Sequence, residues 1–287
     1  MLTVLVGLTS ALVFGAADFL GGIAAKRMSA ILVTAIAAVT GLVVLVLLLP
    51  FIGGAWSIEA VVFGAASGIS GAIAIGLLYA CLAIGPMSIL SPLTAVVSAI
   101  VPLTVGLIAG ERLGVIGYVA LGLALVAIVL VGFVPEKGVV RPSLKGVVMA
   151  IGSGVAIGAF LILIDAAPDD SGLVPLVVNR ATNSTIMFAL VGVLALMAWR
   201  RGSVPRDGAW SAGLKFAVLC GVLDVIANIG LLLGVRLGEL SVIAVLTALY
   251  PAGTIILAAI VLKERIAPVQ YAGLVLAIVA GAMLALA

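Results

Sequence analysis

The chain has 287 residues, of which 65% are hydrophobic and 9% are charged, and its mean hydropathy is +1.49. A soluble domain carries roughly 25% charged residues, so this composition excludes a water-soluble globular protein and predicts an integral membrane protein. Histidine is absent, which excludes a zinc site with imidazole ligands and a catalytic triad built on histidine. We expect no metal site, no cofactor and no nucleic-acid partner.

Ten apolar runs are long enough for membrane-spanning helices, each of which needs about 20 residues. Their predicted limits are 2–23, 30–50, 59–81, 87–109, 113–133, 144–164, 174–198, 211–234, 240–262 and 266–286. The first run carries no charged side chain before Asp18, so we interpret it as a retained helix and not as a cleaved signal peptide. The segment 135–143 is predicted to be a cytoplasmic linker that separates residues 1–134 from residues 144–287, with five helices in each part.

An internal repeat relates the two parts. Segment 85–133 aligns without gaps on segment 238–286. The alignment brings Leu93-Thr94-Ala95 onto Leu246-Thr247-Ala248, Glu111-Arg112 onto Glu264-Arg265, and Tyr118 onto Tyr271. Because five is an odd number, the second part must enter the membrane with the opposite polarity to the first. The sequence therefore predicts an all-α membrane protein whose ten helices form two inverted-topology five-helix repeats around a central cavity, as in many transporters.

The basic residues give an orientation, because lysine and arginine collect in cytoplasmic loops. With ten helices, most of them fall on one face: Lys26, Arg27, Lys137, Arg141, Lys145, Arg200, Arg201, Arg206, Lys215, Lys263 and Arg265. Only Arg112 and Arg236 fall on the other face, together with most of the acidic residues. Both termini are therefore predicted to be extracytoplasmic.

Ionisable side chains inside membrane spans are costly and are therefore candidates for a site. Asp224 and Asn228 share one face of the eighth helix, and Arg180 lies in the most polar stretch of the seventh. A carboxylate suits an ammonium group and a guanidinium suits a carboxylate, so this pair fits a zwitterion such as an amino acid. The candidate substrate-binding residues are Asp18, Asn179, Arg180, Asn183, Asp224, Asn228, Thr247 and Tyr250.

Two other interpretations of Asp224 stay open. It can carry a proton across the membrane by alternate exposure, or it can pair with Arg180 only to hold two helices together. Asp18 has an alternative role as an interfacial residue near Lys26 and Arg27, since we expect it to lie at a different depth from Asp224.

Prolines occur in the fourth and ninth helices, which are the same element in the two repeats. They are Pro92 and Pro102 in the fourth helix and Pro251 in the ninth. A proline inside a helix leaves a carbonyl without its donor and kinks the helix. The pattern is consistent with helices that bend to gate a cavity, and also with the general frequency of proline in membrane helices.

Several stretches resemble EamA-type members of the drug/metabolite transporter superfamily. They are residues 14–22 (FGAADFLGG), 239–251 and 262–265. The resemblance extends over essentially the whole chain and implies a carrier of small metabolites, amino acids or drugs, often outward, in the bacterial inner membrane. The first repeat departs from the pattern, because Ser98 stands where the second repeat has Pro251.

The predicted function is a secondary transporter or exporter of small metabolites, first of all amino acids or related zwitterionic and amine compounds, working by alternating access. No GxxxxGK[ST] phosphate-binding loop is present, so a proton gradient or the gradient of the substrate itself would drive transport. A flippase for a lipid-linked or amphipathic substrate on the same scaffold is the alternative. A membrane-embedded enzyme has the least support, and a monomer and a homodimer both stay open.

Overall fold

The computed structural model describes residues 1–84, 87–133, 142–200, 210–263 and 265–286. Within them it contains ten segments long and apolar enough to cross a membrane, which confirms the predicted all-helical membrane fold. The helices are α1 (Leu2–Ala25), α2 (Ala30–Ile52), α3 (Ile58–Ile84), α4 (Met87–Ile108), α5 (Val115–Gly132), α6 (Leu144–Asp165), α7 (Val174–Arg200), α8 (Trp210–Leu237), α9 (Leu240–Thr247), α10 (Tyr250–Val261) and α11 (Pro268–Leu286). Most of the predicted linker, and Glu264, lie outside the described residues.

The ninth span, which we predicted over 240–262 with a kink at Pro251, is broken into two helices. It consists of α9 and α10, which are separated at Ala248 and Leu249. Pro251 lies in the first turn of α10, where its missing N–H costs nothing and its fixed φ suits a helix start. It cannot donate to the carbonyl of Thr247 four residues earlier, so a continuous helix would lose a hydrogen bond there. By contrast, α4 contains two prolines and is unbroken.

The largest contacts between helices follow an exchange rule between the two repeats. Helix α1 packs on α8 while α6 packs on α3, and α2 packs on α8 while α7 packs on α3. Likewise α1 packs on α9 and α10 while α6 packs on α4. These contacts come in pairs. Exchanging the five spans of one repeat with those of the other converts the first contact of each pair into the second. The two repeats therefore interlock, and this pattern supports the internal duplication found in the sequence.

A close crossing of α1 and α10 fixes the position of α1. A Cβ atom on Gly15 would lie 2.4 Å from the carbonyl oxygen of Tyr250, so only glycine fits at this crossing. The hydroxyl of Thr254 donates a 3.0 Å hydrogen bond to the carbonyl of Gly15. The adjacent residue Phe14 is thereby held toward the middle of the bundle.

At one end of the bundle, called here the Glu111 end, hydrogen bonds join the loops to each other. The N–H of Leu173 donates to the carbonyl of Gly53 (3.2 Å), and the Arg236 guanidinium donates to the carbonyl of Gly172 (3.1 Å). These bonds join the α2–α3 connection, the α6–α7 connection and the end of α8. The opposite end is called the Lys215 end. There the Arg27 and Lys215 side chains both lie over the ring of Phe216, at 4.9 and 5.0 Å.

A carboxylate from the first repeat caps a helix of the second repeat at the Glu111 end. The carboxylate oxygens of Glu111 accept hydrogen bonds from the N–H groups of Leu240 (2.7 Å) and Ser241 (3.1 Å), in the first turn of α9. These N–H groups have no partner within the helix, and the helix dipole favours an anion there.

Glu239 lies beside Glu111. Loss of hydration raises the pKa of Glu239, and so do repulsion by Glu111 and a hydrogen bond that the protonated Glu239 carboxyl donates to Glu111.

We expect Glu111→Ala to lower the free energy of unfolding by about 2 kcal/mol, because two N–H groups of α9 lose their acceptor. Glu111→Gln should retain part of this stability through its remaining amide oxygen. Thermal unfolding of the purified protein in detergent measures the change. Glu59→Ala is the control, since Glu59 is an exposed first-turn carboxylate of α3. Equal effects at both sites would contradict the capping role.

We expect Glu239→Gln to raise the melting temperature at neutral pH. The raised pKa of Glu239 means that the unfolded chain loses this proton at a lower pH than the folded chain. The free energy of unfolding therefore decreases as the pH rises above about 4.3, the ordinary pKa of glutamate. The gain should be small, because the side chain is exposed and screened. It should vanish below about pH 4, and a gain that persists there would contradict the assignment.

Candidate functional site

The polar stretch of α7 faces other helices and not lipid. Asn179 is buried, and its amide donates a 2.8 Å hydrogen bond to the hydroxyl of Ser67 on α3. That hydroxyl in turn donates to the carbonyl of Gly64 (2.7 Å). Asn183 and Ser184 are also buried. A polar side chain of a membrane span needs such partners, because hydrocarbon supplies none.

An ion pair joins α7 to α8 inside the membrane span. Arg180 Nη2 lies 2.5 Å from Asp224 Oδ2, and the two side chains are 14% and 27% exposed. The amide of Asn228 donates a 2.7 Å hydrogen bond to the backbone carbonyl of Asp224, which fixes Asn228 beside the pair. Within the described residues, Arg180 Nε and Asn183 Oδ1 are buried with no hydrogen-bond partner. One donor and one acceptor are thus available next to the ion pair.

A cavity of about 200 Å³ lies against this pair. Its polar lining comes from α7 and α8: Asn179, Arg180, Asn183, Asp224 and Asn228. Its apolar lining comes from α1, α3 and α6: Phe14, Gly71, Ala74, Ile75, Ile157 and Phe160. The structure therefore brings together five of the eight residues that the sequence singled out, at one cavity between both repeats.

Asp18 lies nearer to Asp224 than the sequence led us to expect. Helices α1 and α8 run antiparallel. Four pairs of neighbouring residues show this, because from each pair to the next the residue number rises on the α1 side while it falls on the α8 side. The pairs are Thr3 and Leu237, Ser10 and Gly230, Gly21 and Cys220, and Met28 and Gly213. By this register, Asp18 lies within about one helical turn of the level of Asp224. The two carboxylates are close enough to repel each other, so they do not lie at different depths.

The side chain of Asp18 is exposed although α1 packs against α2, α8, α9 and α10. It lies one turn beyond Phe14 on the same face, in the direction of the Lys215 end. Gly22 and Ala25 continue this face and are also exposed. Asp18 therefore lies on an exposed face of α1 that continues from Phe14 toward the Lys215 end.

Besides Asp18, two further predicted site residues, Tyr250 and Thr247, are not among those that line the cavity. Tyr250 lies at the crossing of α1 and α10, with its carbonyl against Gly15. Thr247 is buried at the end of α9, and its hydroxyl has no hydrogen-bond partner among the described residues.

The three prolines also lie away from the cavity lining. Pro92 packs near Gly132 of α5, and Pro102 packs near Gly158 of α6. Pro251 lies in the first turn of α10.

Sequence reasoning missed the apolar part of the lining. Phe14, Ile157 and Phe160 are apolar residues in apolar helices, and nothing in their spacing separates a cavity wall from a lipid-facing surface. Ser67 carried a weak signal, since it is a polar residue inside a span and bonds to Asn179.

A model of the EamA-like transporter family matches residues 144–286, which is the second five-helix part. The chain belongs to the EamA-like transporter family. This family is part of the drug/metabolite transporter superfamily, so the protein is a multi-pass membrane protein of a transporter family.

Solved structures share its fold. One crystal structure of a protein superposes with a TM-score of 0.78 at 16% sequence identity, over 99% of this chain and 96% of that chain. At this identity the likeness shows the fold alone. Among curated proteins, none matches the chain.

A double-mutant cycle measures how strongly Arg180 and Asp224 depend on each other. Arg180→Ala or Asp224→Ala alone should lower the stability by about 3–5 kcal/mol, because each leaves one charge without its partner inside the membrane span. The double variant should cost clearly less than the sum of the two. Denaturation in mixed micelles gives the three values. Simple additivity would show that the two charges do not stabilise each other.

Proposed function

We propose that the protein is a secondary active transporter that exports small amines or amino acids through the cavity between its two repeats. Membership of a transporter family supports transport of a small molecule. The Arg180–Asp224 pair at the cavity is the observation that favours a charged substrate. A cavity for a neutral compound would not need two charges inside a membrane span.

The polar groups of the cavity match both ends of an amino acid. The carboxylate of Asp224 suits an ammonium group, and the guanidinium of Arg180 suits a carboxylate. Arg180 Nε and Asn183 Oδ1, which have no partner among the described residues, supply one further donor and one further acceptor. The substrate would separate Arg180 from Asp224. Its carboxylate would then pair with Arg180, and its ammonium group with Asp224. Each charge of the site would therefore have a partner both with and without substrate.

Alternating access is the mechanism that this arrangement favours. Hydrogen bonds join the loops at the Glu111 end, whereas the exposed face of α1 around Asp18 continues from Phe14 toward the Lys215 end. We propose that the two repeats are inverted and rock about the cavity. The basic residues of the Lys215 end favour a cytoplasmic position for it, and we propose that both termini are extracytoplasmic in the bacterial inner membrane.

Coupling to protons fits the two carboxylates at one level of the membrane. Asp18 is exposed while Asp224 is held in the ion pair. When substrate separates the pair, a proton can occupy one of the two carboxylates and leave with the conformational change. A gradient of the substrate alone is the other driving force. The monomer and the homodimer are both compatible with this scheme.

Transport in sealed proteoliposomes tests the proposal, with labelled alanine, leucine, lysine and n-butylamine, each with and without a pH gradient. The wild-type protein should move at least one of them. Asp224→Asn should lower the rate by at least about 30-fold in correctly inserted protein, because a buried charged partner of the substrate is lost.

Asp169→Asn is the matched control, since Asp169 is an exposed residue of the short 3₁₀-helix at the Glu111 end. It should transport at the wild-type rate. Failure of the wild type to move any amine or amino acid would contradict the substrate class. Full transport by Asp224→Asn would leave the ion pair with a purely structural role.

A further inference from the structure

We infer that the substrate carries an apolar side chain of leucine size or larger, which binds in a second cavity beside the charged one. This inference deepens the proposed function and rests on it. The second cavity has a volume of about 260 Å³. It is lined by Ile31, Ile75, Gly76, Ala80, Met187 and Leu190. None of these residues carries a charge or a polar side chain, so the cavity suits hydrocarbon and not a second charged group.

The two cavities adjoin, because Ile75 lines both of them. Helices α3 and α7 continue from one to the other. On α7, Met187 lies one turn beyond Asn183, and on α3, Gly76 and Ala80 follow Ile75. Met187 lies about 10 Å along α7 from Arg180 at 1.5 Å per residue. A ligand whose charged groups contact Arg180 can therefore extend its side chain along α7 into the apolar cavity.

The volumes favour a ligand that fills both cavities. Cavities of about 200 and 260 Å³ are each smaller than the roughly 300 Å³ at which pockets for drug-sized ligands begin. Together they exceed it. A small amino acid would leave the second cavity without a ligand group, while a long or branched apolar side chain would occupy it. Each methylene group buried there should strengthen binding about fourfold.

Gly76 gives a direct way to fill this cavity. A Cβ atom at Gly76 would meet nothing within 4 Å, so a side chain can begin there without meeting backbone. Gly192 on α7 supplies the matched control, because a Cβ atom there also meets nothing within 4 Å. Gly192 is exposed and is not among the residues that line either cavity.

The experiment compares alanine, leucine and phenylalanine as competitors for transport of labelled alanine in proteoliposomes that contain the full chain. In the wild type, leucine and phenylalanine should compete at least tenfold better than alanine. Gly76→Leu should remove this preference, so that leucine and phenylalanine compete no better than alanine. Gly192→Leu should keep the preference. Met187→Ala, which adds no bulk, should weaken the preference at least threefold and serves if Gly76→Leu does not fold.

The outcomes separate this inference from the proposed function. Transport of alanine with no advantage for leucine or phenylalanine would overturn the apolar subsite and leave the proposed function intact. A loss of alanine and leucine transport to the same degree in Gly76→Leu, with unchanged preference in Met187→Ala, would also overturn it. If neither an amino acid nor an amine is transported, the proposed function fails and the subsite fails with it.

Discussion

A charge inside a membrane span has no water to stabilise it, and the arrangement of this protein depends on how that charge is compensated. Arg180 and Asp224 compensate each other across the contact between α7 and α8, at a separation of 2.5 Å. Neither helix could place its charge toward lipid without a large cost. The pair therefore sets the rotation of both helices about their own axes. It also sets which face of α7 meets α3, where Asn179 bonds to Ser67. The cavity lies where these two requirements meet.

The two repeats contribute differently to this cavity although their helices pack by the same exchange rule. The second repeat supplies the five polar side chains of the lining, whereas α1 and α3 of the first supply Phe14, Ile75 and small residues. Asp18 is the acidic residue that the first repeat adds at the same level. Another difference is the ninth span, which breaks before Pro251, while its counterpart α4 is unbroken with Ser98 at the aligned position. The cavity therefore lacks exact two-fold symmetry and has a charged side and an apolar side. Such a site can orient an asymmetric substrate.

The sequence predicted the ten spans and their limits closely, because twenty consecutive apolar residues have few alternatives to a membrane helix. It also singled out the polar residues of the cavity, since polarity is conspicuous against an apolar background. It did not reveal three features that depend on contacts between distant segments. The level of Asp18 follows from the register of α1 on α8. At Pro251 a helix can either bend or end, because a backbone hydrogen bond is lost in both cases. The sequence does not decide between the two. The apolar cavity lining resembles the lipid-facing surface in composition, and periodicity cannot separate the two.

The capping of α9 by Glu111 has a consequence for how the protein is made. The ribosome completes Glu111 more than a hundred residues before it reaches Leu240 and Ser241, whose N–H groups the carboxylate accepts. When α9 enters the bilayer, its acceptor is already in place on the first repeat. If the second repeat were synthesised alone, these N–H groups would have to find another partner near the membrane surface. Because Glu111 precedes α9 in the chain, the acceptor for these N–H groups is synthesised before the helix that needs it.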